Sequence, residues 1–564
     1  MRRKDARPTS VDNRPLRPPR RVFVGLASLA TATVLVRAGL LERVVGSIVD
    51  WAVVNIITLI LAFSALMSVL VWFLRESGHS LALKRAVGWG LLAAVGLALA
   101  ALRIERVSGD LVPEFRLRWS LSPDRTLPAG ATTERAVRES PESWSATPAD
   151  FPRFLGPRGT AGIDAPTLDP DWEARPPKRL WRRPIGAGWG GFAVCGDHAV
   201  TLEQRGDSEV LSCRSVTSGE TEWTVAVPGR HETVLGGVGP RSTPTIDGGV
   251  VYATGATGWL LAVDGGSGKV LWKKDVLQDA GIDVAAHQAA VTWGRAGSPL
   301  VTESLVIVPG GGPTNGAGSM ASLLGYAKDG ASRPLTCGGE QISYVSPQLT
   351  RFAGRDVLIA VNESAVVGYD PGDGRQVWRF DWPGHSNSDA SCSQPHVIGE
   401  RRIFISKGYG IGAAVFEMEE KESDESSEPV FRTLWQQPGL LKTKFTNVTI
   451  HDGHAYGLSD GILECVSLAE GKRRWKSGRY GQGQLLRVGS LLLVQAESGE
   501  VVLVDCSPQR HVVRARLQAI AGQTWNNPCL SGNRLLVRNC EEAACYELPL
   551  ADAAAAVADG RVAR

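Results

Sequence analysis

The sequence predicts an all-β protein, an eight-bladed β-propeller preceded by three transmembrane α-helices. Short alternating apolar runs separated by Gly and Asp begin near residue 151 and are typical of strands and tight turns. A unit of about 40–50 residues recurs along that part of the chain, which indicates propeller blades. Before residue 103, three apolar runs approach or exceed the length that crosses a bilayer.

The chain begins with a basic tail. Residues 1–21 contain eight Arg and Lys residues and two Asp residues, a net charge of 8 − 2 = +6. The whole chain carries +3, so the remainder carries 3 − 6 = −3. A mildly acidic folded part does not favour nucleic acid as a partner. The tail instead predicts a cytoplasmic N-terminus next to a membrane.

The apolar runs predict a membrane domain over residues 22–102, with helices at 22–41, 51–74 and 86–102. The second run has no charge, whereas the first contains Arg37. A cleaved signal peptide is the alternative interpretation of the first run. Three crossings from a cytoplasmic tail would place the rest of the chain outside the cytoplasm.

Two further segments have no strand or helix pattern. Residues 103–150 are rich in Pro, Ser, Thr and charged residues over most of their length, which predicts a flexible extracytoplasmic linker. Residues 551–564 form a C-terminal tail after the propeller, which is predicted to span residues 151–550.

The nine cysteines all follow the linker and have no CxxC spacing. This argues against a zinc ribbon, a thioredoxin-like site or covalent haem attachment. We interpret them chiefly as small buried apolar residues of strands. A local disulfide between Cys540 and Cys545 remains open as an alternative, and so does the overall disulfide pattern.

The clearest repeat unit spans residues 248–276 and ends in a strand that carries a Trp. Seven such units can be counted, and an eighth stops before its Trp strand at the C-terminus. The N-terminal strand around Trp181 supplies the missing strand and closes the ring, which removes free sheet edges. The predicted blade-docking residues are Trp181, Trp223, Trp272, Trp378, Trp435 and Trp475.

The strand endings Asp264–Trp272 and Asp370–Trp378 resemble the repeat of the pyrroloquinoline-quinone (PQQ) type. Quinoprotein dehydrogenases and the bacterial outer-membrane assembly factor B share this repeat. Residues 151–163, with the later stretches 406–414, 440–448 and 480–486, are similar to membrane-anchored bacterial members. The resemblance covers residues 151–550 and is specific for fold rather than for function.

In the catalytic relatives, the resemblance implies PQQ above a Ca²⁺ ion, with a vicinal disulfide and nearby Glu, Asn and Asp. This sequence has no adjacent cysteines and no recognisable cluster of oxygen ligands for Ca²⁺. We therefore predict no cofactor, no metal and no catalytic residue. His451 and His454 flank an Asp-Gly turn and are interpreted as turn residues.

The loops before the innermost strands of the blades open on one face and are rich in large polar and aromatic residues. These candidate binding residues are Trp189, Arg241, Trp293, Arg295, Tyr344, His385, Asn387, Lys442, Lys444, Gln482, Gln484, Trp525, Asn526 and Asn527. They predict a funnel for an anionic or peptide-like ligand. Interblade hydrogen bonding around a water-filled channel is the alternative interpretation.

The sequence as a whole predicts a membrane-anchored, non-catalytic binding module with a protein or peptide partner. A membrane quinoprotein oxidoreductase that uses PQQ and Ca²⁺ is the alternative. A ligand sensor is disfavoured because the predicted cytoplasmic segments are too short for an output domain.

Overall fold

The structure is a computed structural model that describes residues 15–40, 44, 49–135, 144–311, 321–419 and 429–551. By Cα proximity the chain divides into two units, Met1–Ser120 and Leu121–Arg564. The predicted C-terminal tail lies outside the described residues, apart from residue 551.

The described part of the first unit contains three α-helices, α1 (Arg20–Arg37), α2 (Trp51–Val71) and α3 (Leu81–Ala101). A π-helical turn over Trp72–Glu76 extends α2, and a hairpin of strands Leu102–Val107 and Pro113–Leu117 follows α3. The start of α1 meets the end of the α2 extension, because Arg21 Nη2 lies 2.6 Å from Glu76 Oε2. The end of α1 meets the start of α2, where Arg37 lies 5.7 Å from the Trp51 ring. The two helices are therefore antiparallel.

Two of the described helical segments are long and apolar enough to cross a membrane, Trp51–Glu76 and Leu81–Ala101. They correspond to the second and third predicted spans, and the third begins five residues earlier than predicted. The first predicted span is not confirmed. Helix α1 has arginines at both ends, and only 15 residues separate Arg21 from Arg37, fewer than the about 20 that a bilayer core requires.

The described parts of residues 103–150 contain structure that their composition did not indicate. Besides the hairpin, Thr133 pairs with Thr224 on the outer edge of a propeller sheet, with N···O distances of 2.8 and 3.0 Å. Trp144 is buried in the core of the same sheet. The segment covers a sheet edge that would otherwise expose unpaired backbone groups, and this gives its residues an ordered place.

The described residues of the second unit form eight sheets with a four-stranded antiparallel core, and each sheet is one blade. Their strands, from the innermost to the outermost, are as follows: blade 1, Ala193–Cys195, His198–Arg205, Ser208–Ser215, Thr221–Pro228; blade 2, Thr245–Asp247, Val250–Thr254, Trp259–Asp264, Val270–Asp275; blade 3, Leu300–Val301, Leu305–Pro309, Ala321–Ala327, Leu335–Gly338; blade 4, Gln348–Phe352, Arg355–Val361, Ala365–Tyr369, Gln376–Asp381; blade 5, His396–Ile398, Arg402–Lys407, Gly412–Met418, Phe431–Gln437; blade 6, Val448–His451, His454–Ser459, Ile462–Ser467, Lys472–Arg479; blade 7, Gln484–Val488, Leu491–Gln495, Glu500–Asp505, Val513–Gln518; blade 8, Cys529–Ser531, Arg534–Arg538, Glu542–Glu547, Lys178–Pro184. The short elements between them are a 3₁₀ turn at Pro123–Arg125, strands Gly162–Ile163, Glu232–Thr233 and Gly237–Val238, and helices Val276–Asp279 and Val284–Ala290.

The predicted blade count and ring closure are confirmed. Strand Lys178–Pro184, which carries Trp181, pairs with Glu542–Glu547 as the outermost strand of blade 8. The N-terminal end of the propeller therefore completes the last blade.

Five of the six predicted docking tryptophans donate a hydrogen bond to the next blade. The indole Nε1 of Trp223 donates to Gly265 O of blade 2 at 2.7 Å, and four others make the equivalent bond: Trp181 to Val216, Trp272 to Lys328, Trp435 to Leu468 and Trp475 to Ser507. Trp378 Nε1 has no hydrogen-bond partner among the described residues. Trp378 packs instead on Phe352 and Phe431, with ring centroids 5.4 and 5.3 Å apart.

A β-bulge recurs beside these tryptophans. In blade 1, Cys213 pairs with Trp223 but the next residue, Arg214, pairs with Thr221, so Glu222 is the extra residue of the outer strand. The same shift occurs in six other blades, where the extra residues are Leu180, Leu271, Val377, Leu434, Arg474 and Arg514. Such a bulge re-aims one side chain of the strand.

The nine cysteines, all within the described residues, form no disulfide, and all except Cys392 are buried. Cys545 lies within a strand of blade 8 and pairs with Trp181, whereas Cys540 Sγ lies 3.8 Å from Gly188 O. The two residues do not form the local disulfide that the sequence left open.

Candidate functional site

The central channel is partly filled by the segment at 151–164, which precedes the first blade. Phe151 pairs with Val194 on the innermost strand of blade 1, with N···O distances of 3.1 and 2.8 Å. Gly162 and Ile163 pair in parallel with the innermost strand of blade 7. This segment and the innermost strands of blades 3, 4 and 5 enclose a cavity of about 170 Å³. The predicted funnel therefore does not continue as an open pore along those strands.

Successive antiparallel strands place two kinds of loop on one end of the propeller. These are the loops that precede the innermost strands and the turns between the second and third strands of each blade. We call this end the loop face. All fourteen predicted binding residues belong to it, because each lies before or at the start of an innermost strand.

An aromatic cluster lies on the loop face where blades 6, 7 and 8 meet blade 1. The Trp525 ring lies 4.6 Å from both the Trp189 ring and the Phe445 ring. Trp189 Nε1 donates to Gly236 O at 2.7 Å, and Trp525 Nε1 donates to Glu497 Oε1 at 2.9 Å. Bonds at both indoles hold the rings in fixed orientations.

A second aromatic pair joins the loops before blades 3 and 4. The Trp293 and Tyr344 rings lie 5.6 Å apart, and Tyr344 Oη donates to Ser386 O at 2.7 Å. Arg241 is held nearby by the backbone carbonyls of Gly236 and Gly239, each 2.6 Å from a guanidinium nitrogen. Within the described part of the chain, no carboxylate oxygen lies within 4 Å of its guanidinium, so its near partners are neutral.

Lysines converge between blades 5 and 6. Lys442 and Lys444 are buried, and their Nζ atoms lie 3.9 and 3.4 Å from the carboxylate of Asp460. Lys407 is also buried and donates to Pro383 O at 2.7 Å, with Asp389 Oδ2 3.8 Å away. Glu363 also acts on the charge of Lys407, so three lysines and three carboxylates meet in this part of the loop face.

Burial lowers the pKa of both arginines of the predicted set. The pKa of Arg241 and the pKa of Arg295 each fall to about 10 through desolvation. Desolvation also lowers the pKa of Lys407. Both arginines still carry their charge near neutral pH, in surroundings where an anion would interact with them more strongly than in water.

Several buried amides on the loop face lack hydrogen-bond partners among the described residues. They include both side-chain polar atoms of Gln482 and the side-chain oxygens of Gln484, Asn526 and Asn527. Buried polar atoms are costly unless they are paired. These amides are therefore available to water or to a polar ligand.

The structure divides the fourteen predicted residues by exposure. His385 and Asn387 are exposed, and Arg241, Trp293 and Asn527 are half-buried. The other nine are buried: Trp189, Arg295, Tyr344, Lys442, Lys444, Gln482, Gln484, Trp525 and Asn526. The loops thus form a packed, charged surface with a polar interior rather than a deep pocket.

Sequence reasoning missed the carboxylates and one lysine of this face. Asp460 and Glu497 lie in turns between second and third strands, and Lys407 ends a second strand. These turns reach the same end of the propeller as the predicted loops, so the strand order of each repeat contained the necessary signal.

The loop face does not fit PQQ and its Ca²⁺ ion. Calcium takes six to eight oxygen ligands, but the acidic groups here are dispersed and engaged, Asp460 by two lysines and Glu497 by Trp525 and Gln482. Within the described residues, the sole group of three His, Cys, Asp or Glu donors close enough to hold one ion lies elsewhere, in blade 1.

A model of a known protein family matches the part of the chain that contains the repeats. A family model described as "Outer membrane protein assembly factor BamB" matches residues 173–317 and 295–477, together more than half of the chain. The chain belongs to this family of PQQ-like propeller repeat proteins. The family includes both assembly-factor propellers and quinoprotein dehydrogenases, so membership does not by itself assign a reaction.

Solved PQQ-like propellers share the fold at low identity. A europium-containing methanol dehydrogenase has 12% identity, covers 69% of this chain and 90% of its own, and has a TM-score of 0.51. The quinohemoprotein alcohol dehydrogenase of Comamonas testosteroni has 10% identity, 72% and 81% coverage, and a TM-score of 0.51. BamB of Moraxella catarrhalis has 14% identity, 66% and 100% coverage, and a TM-score of 0.46. No curated protein matches the chain.

Proposed function

We propose that this protein is a membrane-anchored, non-catalytic binding module whose loop face docks a protein or peptide partner. The observation that carries the proposal is the composition of that face. It combines fixed aromatic rings, a guanidinium held on backbone carbonyls at Arg241, and buried amide atoms without a hydrogen-bond partner among the described residues, around one end of the propeller. Aromatic and Arg anchors with polar surroundings are typical of protein-binding surfaces.

The hydrogen-bond donors of the loop face favour a partner with carboxylates or backbone carbonyls. Arg241 and the three lysines donate hydrogen bonds but accept none. The unpaired Asn and Gln oxygens could accept from backbone N–H groups of the same partner. A peptide segment with acidic residues satisfies both requirements, and the family description, an assembly factor for outer membrane proteins, is consistent with a protein partner.

We further propose a bacterial inner-membrane location with the N-terminus in the cytoplasm and the propeller in the periplasm. Helices α2 and α3 supply two candidate spans. We propose α1 as a third, because it packs antiparallel to α2 and the long side chains of its terminal arginines can reach the lipid headgroups. The number of spans decides on which side of the membrane the propeller lies. Three crossings place it opposite the basic tail, whereas two would return it to the cytoplasm.

A C-terminal alkaline phosphatase fusion tests this topology, because the enzyme folds actively only in the oxidising periplasm. We expect activity comparable with a periplasmic control. Activity only in a variant with an added signal sequence would contradict three crossings.

Photocrosslinking tests the docking face. A photoreactive residue at exposed Asn387 on the loop face should give a discrete adduct in intact cells. The matched control is exposed Asp452, in a turn at the opposite end of blade 6. Adducts at Asp452 but not at Asn387, or at neither position, would contradict the proposal.

The quinoprotein alternative is tested on the full-length chain with PQQ and Ca²⁺. Under the binding-module proposal, neither quinone absorbance retained after gel filtration nor dye reduction with alcohols is expected. Stoichiometric PQQ with turnover would replace the proposed function by an oxidoreductase.

A further inference from the structure

We propose that His198, Cys213 and Glu222 in blade 1 form a zinc-binding site at the point where the residues before the propeller meet it. Their donor atoms all lie within 4.8 Å of one another. His198 Nδ1 lies 2.8 Å from Glu222 Oε2, and Cys213 Sγ lies 3.2 Å from the same oxygen. The site lies in the opposite half of the blade from the loop face, and it does not depend on the proposed function.

The donor set matches the chemistry of zinc. Zn²⁺ binds imidazole nitrogen, thiolate sulfur and carboxylate oxygen at about 2.0–2.3 Å in tetrahedral geometry. Those bond lengths separate neighbouring donors by about 3.4–3.6 Å. The two measured separations therefore need to lengthen by about half an ångström, which side-chain rotation about χ angles provides.

Strand register, rather than sequence proximity, brings the three residues together. Cys213 pairs with Val200 on the neighbouring strand. His198 lies two residues before Val200, so its side chain points to the same face of the sheet as that of Cys213. Glu222 is the extra residue of the β-bulge beside Trp223, and the bulge turns its carboxylate toward Cys213. Six other blades have an apolar residue or Arg at this bulge position.

The surroundings provide the supporting contacts that metal ligands commonly have. The Trp144 ring stacks on the His198 ring at 4.4 Å and 6°, which fixes the imidazole plane. Arg135 Nη1 lies 3.6 Å from Glu222 Oε1, the carboxylate oxygen that faces away from the other two donors. Burial raises the pKa of Glu222, but the hydrogen bonds and charges of His198, Cys213 and Arg135 together lower it below its usual value.

A fourth coordination position is open to solvent. His198 and Glu222 line a surface pocket whose other walls are Arg135, Asp197, Ser215, Ser218, Glu220 and Thr221. A water molecule can reach the ion from this side. Binding would release the thiol proton of Cys213 into the solvent, because the thiolate is the form that binds zinc.

Blade 6 offers an internal control. His454 and Cys465 occupy the register positions of His198 and Cys213, since Cys465 pairs with Tyr456 and His454 lies two residues earlier. The bulge residue there is Arg474, whose guanidinium pairs with Glu470 at 2.5 Å. Blade 6 thus has two of the three donors and a cation in place of the third.

Cobalt titration of the chelator-treated full-length chain in detergent tests the proposal. We expect one Co²⁺ per chain, with thiolate-to-cobalt charge-transfer absorption and tetrahedral d–d bands that Zn²⁺ removes. C213S should abolish the charge-transfer band and weaken binding more than about 100-fold, since even outer-shell changes cost about 10–100-fold. C465S, the matched control in blade 6, should leave the titration unchanged.

E222Q is a second variant for the case in which C213S fails to fold. It keeps the size of the side chain at a partly exposed position, so the fold should be preserved. It should weaken Co²⁺ binding at least about 10-fold while the far-UV circular dichroism stays that of the parent chain. A parent chain without the cobalt bands, or bands that persist in C213S or disappear in C465S, would overturn the proposal.

Discussion

Blades 1 and 6 place a His, a Cys and a docking Trp at matching strand positions, but they carry different residues at the β-bulge beside the Trp. Each places a His and a Cys on neighbouring strands, and each sends a Trp Nε1 to a carbonyl of the next blade, at 2.7 Å from Trp223 and 2.9 Å from Trp475. In blade 1 the bulge carries Glu222, bonded to the His and the Cys. In blade 6 it carries Arg474, which faces solvent. Both blades therefore keep the hydrogen bond that joins them to the next blade, whereas the bulge residue differs in charge and in the side chains that it contacts.

The largest expected difference between the two blades concerns their tryptophans. Trp223 is fully buried, whereas Trp475 is half-buried. W223A should lower the free energy of unfolding by about 4 kcal/mol, and W475A by about 2 kcal/mol, because less packing is lost at the second site. Denaturant unfolding of the full-length chain, followed by tryptophan fluorescence, measures both. Equal losses would mean that burial does not set the docking energy.

Glycine substitutions sharpen the comparison at the turns. Gly268 has φ +77°, and an added Cβ would lie 2.7 Å from Trp223 Cβ. Gly453 in blade 6 has φ +71° with nothing within 4 Å of the added atom. G268A should therefore cost about 3 kcal/mol and G453A about 1 kcal/mol, the latter from backbone strain alone. Thermal unfolding of both variants separates steric overlap from conformational strain.

Acid should lower the free energy of unfolding more through a histidine next to blade 1 than through one in blade 6. Burial and the charge of Arg241 lower the pKa of His231, which follows blade 1, to about 3. Its unfolded pKa is near 6.5, so the unfolded chain binds more protons between those values and stability falls as the pH falls through that window. Between pH 7 and 5 the loss from His231 is about 2 kcal/mol.

The variant H231F should lack this part of the pH dependence, and H454F in blade 6 serves as its control. The measurement is the midpoint of denaturant unfolding at pH 7 and pH 5. Burial also lowers the pKa of His287 to about 3 and of His396 to about 4, so both variants should retain a residual slope of the same sign. If the unfolding midpoint of H231F changed between pH 7 and pH 5 as much as that of the parent chain, His231 would not be the source of this pH dependence.

The smallest expected effect concerns the bulge residues themselves, without metal. E222Q removes the charge from bonds to His198 and Cys213 and should cost about 1 kcal/mol. R474Q removes an exposed ion pair with Glu470 and should change stability by less than about 0.5 kcal/mol. Unfolding in the presence of a chelator measures both, and the order of the two losses is the decisive result.

The repeat made most of the fold predictable. The spacing of the tryptophans and the orphan strand around Trp181 predicted eight blades and their closure, because each blade uses the same local pattern. The helices at 51–74 and 86–102 followed from apolar length. The first span was not confirmed, since α1 has arginines at both ends and 15 residues between Arg21 and Arg37.

The loop face was predictable in part. The loops before the innermost strands were identified correctly, but burial of Lys442, Gln482 and Asn526 by neighbouring blades depends on how the ring closes. Residues 151–163 resemble the corresponding segment of the PQQ-like family, but their place against the innermost strands of blades 1 and 7 is a contact between distant parts of the chain.

By itself the sequence determined the elements whose signals are local: apolar length for the helices, alternation and turn residues for the strands, and a periodic Trp for the blades. Only the tertiary structure decided which distant side chains meet. His198, Cys213 and Glu222 are 15 and 9 residues apart and follow no metal-binding spacing, so their convergence depends on strand register and one bulge. Register is set by pairing across the sheet, and a one-residue shift would turn each of these side chains to the other face.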